Sequence, residues 1–248
     1  MINTGGAALF YEPEYWPAWL MGLGLCVVAL IAVLILHGLL RVMLAPKMGA
    51  QEEEKTYLYS KVVRFWHWGN ATLFLLLLVS GILNHFAIGN MPLQVQLHEI
   101  CGFLLIAFWV GFIIMNLTTS NGVHYKVQFS GLIGRCIKQA KFYLFDIMKG
   151  KPHPFTADEK SKFNPIQQLA YLGVMFGMVP LLLITGILSL YPDLLGAGYW
   201  MLKAHQVLAV IAVMFICVHI YLCTTGDYFA QTFKSMIDGF HRHNKHHE

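Results

Sequence analysis

The sequence predicts an all-α integral membrane protein with five transmembrane helices. Hydrophobic residues make up 57% of the 248 residues and charged residues only 12%, and the mean hydropathy is +0.57. Such values are typical of membrane proteins and lie outside the range of soluble domains. A hydrocarbon core of about 30 Å needs about 20 apolar residues per helix. Five runs reach that length, at residues 17–41, 63–86, 96–118, 166–191 and 202–224.

The basic residues predict the orientation of these helices. Of the seventeen Lys and Arg residues, all but Lys203 lie in the connection after the first span, in the connection after the third span or in the C-terminal tail. The positive-inside rule assigns that side to the cytoplasm. We therefore expect the N-terminus on the side opposite the cytoplasm and the C-terminus in the cytoplasm. The net charge of +4 then reflects topology and does not indicate nucleic-acid binding.

The first span is predicted to be a retained anchor. The residues before it contain no Lys or Arg, whereas a cleavable signal peptide begins with a basic segment. Tyr15, Trp16 and Trp19 form an aromatic belt at the outer interface, and Arg41 marks the inner end. His37 lies in the last turns, where it can reach water, and we do not expect it to be a ligand.

The second span begins with Arg64-Phe65-Trp66-His67-Trp68, so His67 lies about one turn inside the cytoplasmic boundary. Arg64 has two interpretations. It can pair with a haem propionate, or it can anchor the helix at the interface. His85 ends this span beside a turn at residues 89–92.

The third span places His98 close to the outer boundary. Gly102 follows one turn later on the same helix face. A glycine there lets a porphyrin approach the backbone, although glycines at membrane helix contacts also serve packing alone.

The cytoplasmic connection at residues 119–165 contains a predicted amphipathic helix. Its apolar residues recur at steps of three and four, with basic residues on other faces. We expect this helix to lie on the inner leaflet, although a helix docked on a soluble partner has the same pattern. The apolar residues are Phe129, Leu132, Ile133, Cys136, Ile137, Ala140, Leu144, Ile147 and Met148.

The fourth span opens with Asn164 and Pro165, which predict a helix N-cap followed by proline at the first helical position. A second interpretation is that Asn164 and Gln167 hydrogen-bond the carbonyls of a quinone at the inner interface. Pro180 should bend this helix. Thr185 and the glycine after it can pack against a neighbouring helix or a cofactor.

The fifth span carries His205 and His219, fourteen residues apart. Fourteen helical residues end about 40° short of four turns and rise about 21 Å, so both imidazoles project from one face at two depths. An ionisable side chain within a span is costly and usually functional. This geometry predicts one helix that ligates two stacked haems. The alternative is two histidines that hydrogen-bond neighbouring helices.

Depth along the helices predicts the partners of these two histidines. His67 shares the inner depth with His219, and His98 shares the outer depth with His205, so each pair can hold an iron from both sides. His85 is a rival for the outer position, because it lies eighteen residues and about 27 Å from His67 on the same helical face. We rank it below His98 because it lies at the very end of its span.

The cysteines and the C-terminal histidines predict no further site. The five cysteines form no C-x-x-C or C-x-x-C-H motif, which argues against a disulfide framework, a zinc ribbon or a covalent haem. The tail ends in HRHNKHHE, whose histidines are expected to be solvated.

The histidine motifs lie within a wider pattern. It consists of Arg64-Phe-Trp-His67-Trp, Leu97-His98 with Gly102, Phe163-Asn164-Pro165-Ile-Gln167 leading to Ile184-Thr185-Gly186, and Lys203-Ala-His205 followed by Val218-His219-Ile-Tyr221. This pattern resembles the di-haem cytochrome b subunits of respiratory formate dehydrogenases, thiosulfate reductases and nickel-iron hydrogenases. The resemblance covers about residues 60–245. The first span is a departure, since the four-helix members begin near the second.

The resemblance implies a four-helix core at residues 61–228 that binds two non-covalent haem b groups. An N-terminal segment, extra helix and linker at 1–60 precede it, and a cytoplasmic tail at 229–248 follows. The implied axial pairs, His67 with His219 and His98 with His205, are those that depth alone favours. The resemblance also implies a multi-pass protein of the bacterial inner membrane with a periplasmic N-terminus. The implied role is electron transfer in anaerobic respiration between periplasmic iron-sulfur and catalytic subunits and menaquinone or ubiquinone, within a complex that can form higher oligomers.

We expect no substrate chemistry in this chain beyond that of quinone or quinol, because the outer surface carries no acid-base or nucleophile constellation. The outer loops at residues 86–97 and 191–203 are predicted to dock the iron-sulfur subunit through apolar and aromatic side chains. These side chains are Met91, Leu93, Leu194, Tyr199 and Trp200. The competing interpretation is a non-redox membrane anchor or a proton-handling transporter that uses the histidines for packing or protons.

Overall fold

The computed structural model describes residues 18–46, 53–155, 157–158, 161–194, 198–227 and 230–244. Its α-helices are α1 Ala18–Leu44, α2 Lys61–His85, α3 Met91–Thr118, α4 Leu132–Leu144, α5 Pro165–Gly173, α6 Val179–Leu190, α7 Gly198–Leu222 and α8 Gln231–Asp238. Two short strands are β1 Glu53–Tyr57 and β2 Phe240–Asn244. The aromatic residues Tyr15 and Trp16 and the last four tail residues lie outside the described residues.

Five helices are long and apolar enough to cross a membrane. They are α1, α2, α3, α7 and the helix that runs from Pro165 to Leu190. Each one contains or closely matches a run of about 20 apolar residues found in the sequence. The prediction of an all-α integral membrane protein with five spans is therefore confirmed.

A π-helical turn, Val174–Met178, interrupts the fourth span between α5 and α6. Pro180 follows this turn and lacks the N–H that a regular helix would use there. Within the π-helical turn the carbonyl of Met175 accepts a hydrogen bond of 2.7 Å from Nε1 of Trp109 in α3. The turn therefore lies immediately before Pro180 and is bonded to α3, and the bend expected at Pro180 stays a prediction.

The predicted amphipathic helix is present as α4 and is shorter than the apolar pattern suggested. Gly131 precedes it and Gly150 closes the 3₁₀ turn after it, both at positive φ (65° and 64°) that favours glycine. Ile133 and Ile137 on one face are exposed, whereas Gln139 on the other is fully buried. An apolar exposed face suits the surface of a bilayer.

The linker and the tail form a two-stranded antiparallel ribbon that the sequence analysis did not predict. β1 pairs with β2 in a register that runs from Glu53 opposite Asn244 to Tyr57 opposite Phe240. The rings of Tyr57 and Phe240 lie 5.2 Å apart. The segments 1–60 and 229–248, which the predicted division treats as separate ends of the chain, are therefore joined by main-chain hydrogen bonds.

The chain divides into two compact units. The first comprises Met1–Val27, Trp66–Ile114 and Val174–Val213, and the second comprises Val28–Phe65, Met115–Gly173 and Met214–Glu248. In the first unit Leu73, Cys101 and Leu105 form a buried cluster, with Phe108 and other partly buried side chains packed on it. In the second unit Phe142 and Gln139 of α4 are buried.

Candidate functional site

The structure places His98 of α3 beside His205 of α7 within the first unit. Their ring centroids are 6.2 Å apart and the ring planes make an angle of 73°. A metal bound to one nitrogen of each imidazole at about 2 Å would put the ring centres about 6 Å apart. The spacing therefore fits an iron held between these two histidines.

Hydrogen bonds to Nδ1 define the tautomer of both rings. Nδ1 of His205 lies 3.1 Å from the carbonyl of Leu182, and a carbonyl can only accept, so Nδ1 carries the proton. Nδ1 of His98 lies 2.9 Å from Oγ of Ser80, whose single proton goes to the carbonyl of Leu76 at 2.7 Å. In both rings Nε2 thus has an available lone pair, as an axial ligand needs.

Glycines give these two imidazoles room. A Cβ atom added to Gly81 would lie 3.3 Å from Cε1 of His98, and one added to Gly186 would lie 3.3 Å from Cε1 of His205. A Cβ added to Gly102 would meet nothing within 4 Å. The open backbone at Gly102 fits a flat ring beside α3, and its contact with a cofactor stays a prediction.

The rival outer ligand, His85, has a different neighbour. Its Nδ1 lies 3.5 Å from Nε2 of Gln206, and its ring contacts Phe86. The histidine that lies beside His205 is His98, and the ranking of His98 above His85 as a ligand stays a prediction.

The predicted inner ligands belong to different units. In the second unit the ring of His219 stacks on Phe215 at 5.8 Å and meets Tyr171 edge-on at 6.2 Å. His67 belongs to the first unit, where its ring meets Trp68 edge-on at 5.2 Å. The pairing of His67 with His219 stays a prediction.

Arg64 contacts the tail in the second unit. Its Nη1 donates a hydrogen bond to the carbonyl of Ile237 in α8, and its charge helps to lower the pKa of the Asp238 carboxyl, which is set mainly by Arg242. Neither interpretation of Arg64 from the sequence included this contact. A propionate contact for Arg64 stays a prediction.

Asn164 and Gln167 form a reciprocal cap at the start of α5. Oδ1 of Asn164 accepts from the N–H of Gln167 at 2.9 Å, and Oε1 of Gln167 accepts from the N–H of Asn164 at 3.2 Å. Asn164 also donates from Nδ2 to the hydroxyl of Tyr143 at 2.8 Å. The N-cap interpretation is therefore confirmed, and the quinone interpretation stays a prediction.

Sequence reasoning missed Tyr143 and a polar cavity of about 110 Å³ in the second unit. The lining includes Tyr143, His153, Asn164, Gln167, Asp227 and His241. His153 donates from Nε2 to the carbonyl of Thr225 at 2.8 Å. Burial lowers the pKa of His153 and raises that of Tyr143, so both are neutral near pH 7. The apolar pattern used to find α4 gave no signal for its polar side chains.

His37 of α1 is half-buried and bonded, although it was expected to reach water. Its Nδ1 is hydrogen-bonded to the hydroxyl of Tyr221 in α7. Nearby, Nη2 of Arg41 donates to Oγ1 of Thr224 at 3.3 Å, and its guanidinium lies 5.9 Å from the Tyr221 ring centroid. These polar contacts attach the end of α1 to the end of α7.

Within the described residues, no group of three or more His, Cys, Asp or Glu side chains is arranged to hold a metal ion. All five cysteines are free. Two imidazoles that face each other are a donor set for a porphyrin-bound iron, which already has four nitrogen ligands.

Comparison with known proteins gives one family match and one relative. A family model described as "Prokaryotic cytochrome b561" matches residues 58–239, so α1 precedes the matched region. The Escherichia coli (strain K12) protein named "Putative cytochrome YdhU" is 52% identical over 241 residues, which cover 94% of this chain and 92% of that protein. No solved structure matches the chain. The extent of the family match shows that the chain belongs to the prokaryotic cytochrome b561 family.

Proposed function

We propose that the chain is a membrane-anchoring electron-transfer subunit that binds two haem b groups, one between His98 and His205 and one between His67 and His219. Family membership implies haem b binding, and the observation that carries the proposal is the 6.2 Å spacing of His98 and His205. Haem b supplies one-electron redox chemistry when bound. The imidazoles that would hold it, with their hydrogen bonds, would set its potential.

The proposal includes a periplasmic iron-sulfur and catalytic partner, of the formate dehydrogenase, thiosulfate reductase or hydrogenase type that the sequence pattern resembles. Leu93, Tyr199 and Trp200 of the first unit are 60%, 52% and 69% exposed and suit an obligate interface. Nζ of Lys203 lies 5.1 Å from the Tyr199 ring centroid and 5.5 Å from that of Trp19. Residues 195–197 and the side chain of Leu194 lie outside the described residues.

The proposal also includes a quinone site near the basic end of the helices, beside Asn164 and Gln167. Reduction of a quinone consumes two electrons and two protons, so the site needs donors for two carbonyls and a route for protons. Tyr143 adds a donor, because its hydroxyl oxygen accepts from Asn164 and its own proton is left for another acceptor. A chain of ring contacts, Phe163 to Tyr171 at 5.0 Å and Tyr171 to His219 at 6.2 Å, leads from the start of α5 to the proposed inner ligand.

Haem analysis of the purified protein tests the proposal against a non-redox anchor or a proton-handling transporter. We expect a reduced-minus-oxidised spectrum of b type and a pyridine haemochrome value of about two haems per chain. A folded protein without haem would support the anchor or transporter. A value near one would remove one of the two proposed sites.

Cross-linking within the intact complex tests the side on which the partner docks. Photoreactive side chains at Leu93 and Trp200 should capture the iron-sulfur subunit. The matched control is a probe at Ile133 of α4, which is equally apolar and exposed. Capture from Ile133 alone would place the partner at the opposite end of the helices.

A further inference from the structure

Two of the membrane helices contain similar short sequences. Residues 76–84 of α2 read LLLVSGILN, and residues 181–189 of α6 read LLLITGILS. The hydroxyl residue of each copy, Ser80 or Thr185, precedes a proposed outer ligand by eighteen or twenty residues. The two proposed ligands, His98 and His205, therefore lie against equivalent positions of the two similar segments.

The two copies make equivalent hydrogen bonds. Oγ of Ser80 lies 2.7 Å from the carbonyl of Leu76, and Oγ1 of Thr185 lies 2.7 Å from that of Leu181, so each hydroxyl donates four residues back along its helix. The lone pairs of the same oxygens face Nδ1 of His98 at 2.9 Å and Nδ1 of His205 at 3.2 Å. Each hydroxyl therefore accepts from the imidazole.

Each copy also offers the imidazole a carbonyl one turn before its hydroxyl. The carbonyl of Leu182 lies 3.1 Å from Nδ1 of His205, and the carbonyl of Leu77 hydrogen-bonds His98. A glycine follows each hydroxyl residue, and a Cβ atom added to it would lie only 3.3 Å from Cε1 of the imidazole. Orientation, tautomer and steric space are thus specified by the same three features at both rings.

We propose that Ser80 and Thr185 are positioning residues that set the orientation and the electron donation of the two outer haem ligands. The inference rests on the proposed function. Helix stability does not explain the two hydroxyls, because Ser and Thr that bond four residues back slightly destabilise and bend a helix. Both side chains are buried, and each bonds the ring that it faces.

The expected effect follows from the imidazole chemistry. A hydrogen bond from Nδ1–H to an acceptor makes Nε2 a stronger donor, and stronger donation favours the oxidised iron. Removing the hydroxyl leaves the backbone carbonyl as the remaining hydrogen-bond acceptor for Nδ1–H. The outer haem should then be reduced more readily. It should also dissociate about tenfold faster for the loss of one such contact.

The experiment measures the reduction midpoint and haem release of the full-length protein carrying Ser80→Ala or Thr185→Val. We expect the midpoint of the outer haem to rise, and a tenfold change in the reduced-to-oxidised ratio corresponds to 59 mV for one electron. Thr185→Ser keeps the hydroxyl and should restore the wild-type midpoint. The outer haem is identified as the component that is missing from His98→Ala.

Ser189→Ala is the matched control. Ser189 lies one turn after Thr185 in α6, is buried, and donates to the carbonyl of Thr185 at 2.7 Å without facing an imidazole. It removes a comparable hydroxyl and should leave the midpoint unchanged. Gly81→Ala and Gly186→Ala test, by the same midpoint measurement, whether the space beside Cε1 of each imidazole is needed. Gly111→Ala, where an added Cβ meets nothing within 4 Å, is their control.

The outcomes separate the inference from the function on which it rests. Wild-type protein without an outer haem would refute the proposed function. Wild-type protein with that haem, and Ser80→Ala and Thr185→Val proteins with unchanged midpoint and release rate, would refute the positioning role alone. Equal shifts in Ser189→Ala would also refute it, because the effect would then come from helix packing. All comparisons are made at equal folded yield.

Discussion

The two units of the chain use their buried polar side chains in different ways. In the first unit the hydroxyls of Ser80, Thr185 and Ser189 bond within their own helices, and two of them fix an imidazole. In the second unit Tyr143, His153 and the cap at Asn164 line a cavity at helix ends and loops. A site that only moves electrons needs fixed ligands, whereas a site that also takes up protons needs exchangeable groups near water. This contrast is the basis for our proposals of an outer haem site in the first unit and a quinone site in the second.

The largest expected effect is the loss of a haem from the first unit. His98→Ala or His205→Ala should remove the outer haem and lower the haemochrome value from about two to about one per chain, because one imidazole cannot replace the bis-histidine ligation. The measurement is haem content at equal folded yield, since loss of a bound group also lowers stability.

His85→Ala is the control for these variants, because His85 is another histidine of the same unit and contacts Gln206. It should keep both haems. Loss of a haem from His85→Ala but not from His98→Ala would assign the outer ligand to His85, and Ser80, which bonds His98, would then not position a haem ligand.

The second expected effect concerns quinone chemistry in the second unit. Tyr143→Phe removes the proposed donor, and Asn164→Ala removes its hydrogen-bond partner together with the cap of α5. Both should slow re-oxidation of the haems by a soluble quinone analogue by about 100-fold, the lower end of the effect of a proton donor. The measurement is stopped-flow absorbance of proteins that keep both haems.

Ser60→Ala controls for the loss of a helix cap. Ser60 caps α2 through a 3.3 Å bond from the N–H of Val63, within the same unit. Loss of either cap should cost about 1 kcal/mol of stability, but only Asn164→Ala should change the quinone rate. Wild-type rates in Tyr143→Phe and Asn164→Ala would move the quinone site elsewhere.

The third expected effect is a pH dependence of the second unit. Burial lowers the pKa of His153 in the folded protein below its usual value of about 6.5. Between the folded and the unfolded pKa, the unfolded chain therefore binds more protons than the folded one. Its contribution to stability is complete above about pH 6.5 and is lost as the pH falls through the folded value. His153→Gln should therefore reduce the loss of thermal stability between pH 7 and pH 5. An identical decline in wild type and His153→Gln would show that His153 does not titrate on unfolding.

How much the sequence predicts depends on the range of the interactions involved. The five spans and the pair at His98 and His205 follow from helical periodicity and depth, because a membrane limits where each residue can lie. The bond between Ser80 and His98 depends on helix rotation, which a hydropathy pattern does not define. The β1 and β2 ribbon joins residues almost 190 positions apart in sequence. Most of its residues are charged or polar, so their alternation carried little hydrophobic signal.

The smallest expected effect is in the tail. Asp238 at the end of α8 pairs with Arg242 of β2, with 3.4 Å between Nη1 and Oδ1, and this contact lowers the pKa of the Asp238 carboxyl. The folded value is depressed, so the stabilisation is complete above the unfolded pKa of about 4 and is lost as the pH falls through the folded value. The side chain of Asp238 is 36% exposed, so solvent screening limits the contribution to a few tenths of a kcal/mol.

Asp238→Asn should therefore speed amide hydrogen exchange in the ribbon about twofold at pH 7 and have no effect near pH 2. Asp146→Asn removes the same charge from the other described acid-base pair, with Lys151, and should leave exchange in the ribbon unchanged. Equal protection of residues 240–244 in Asp238→Asn and wild type would show that main-chain pairing with β1 alone holds the tail.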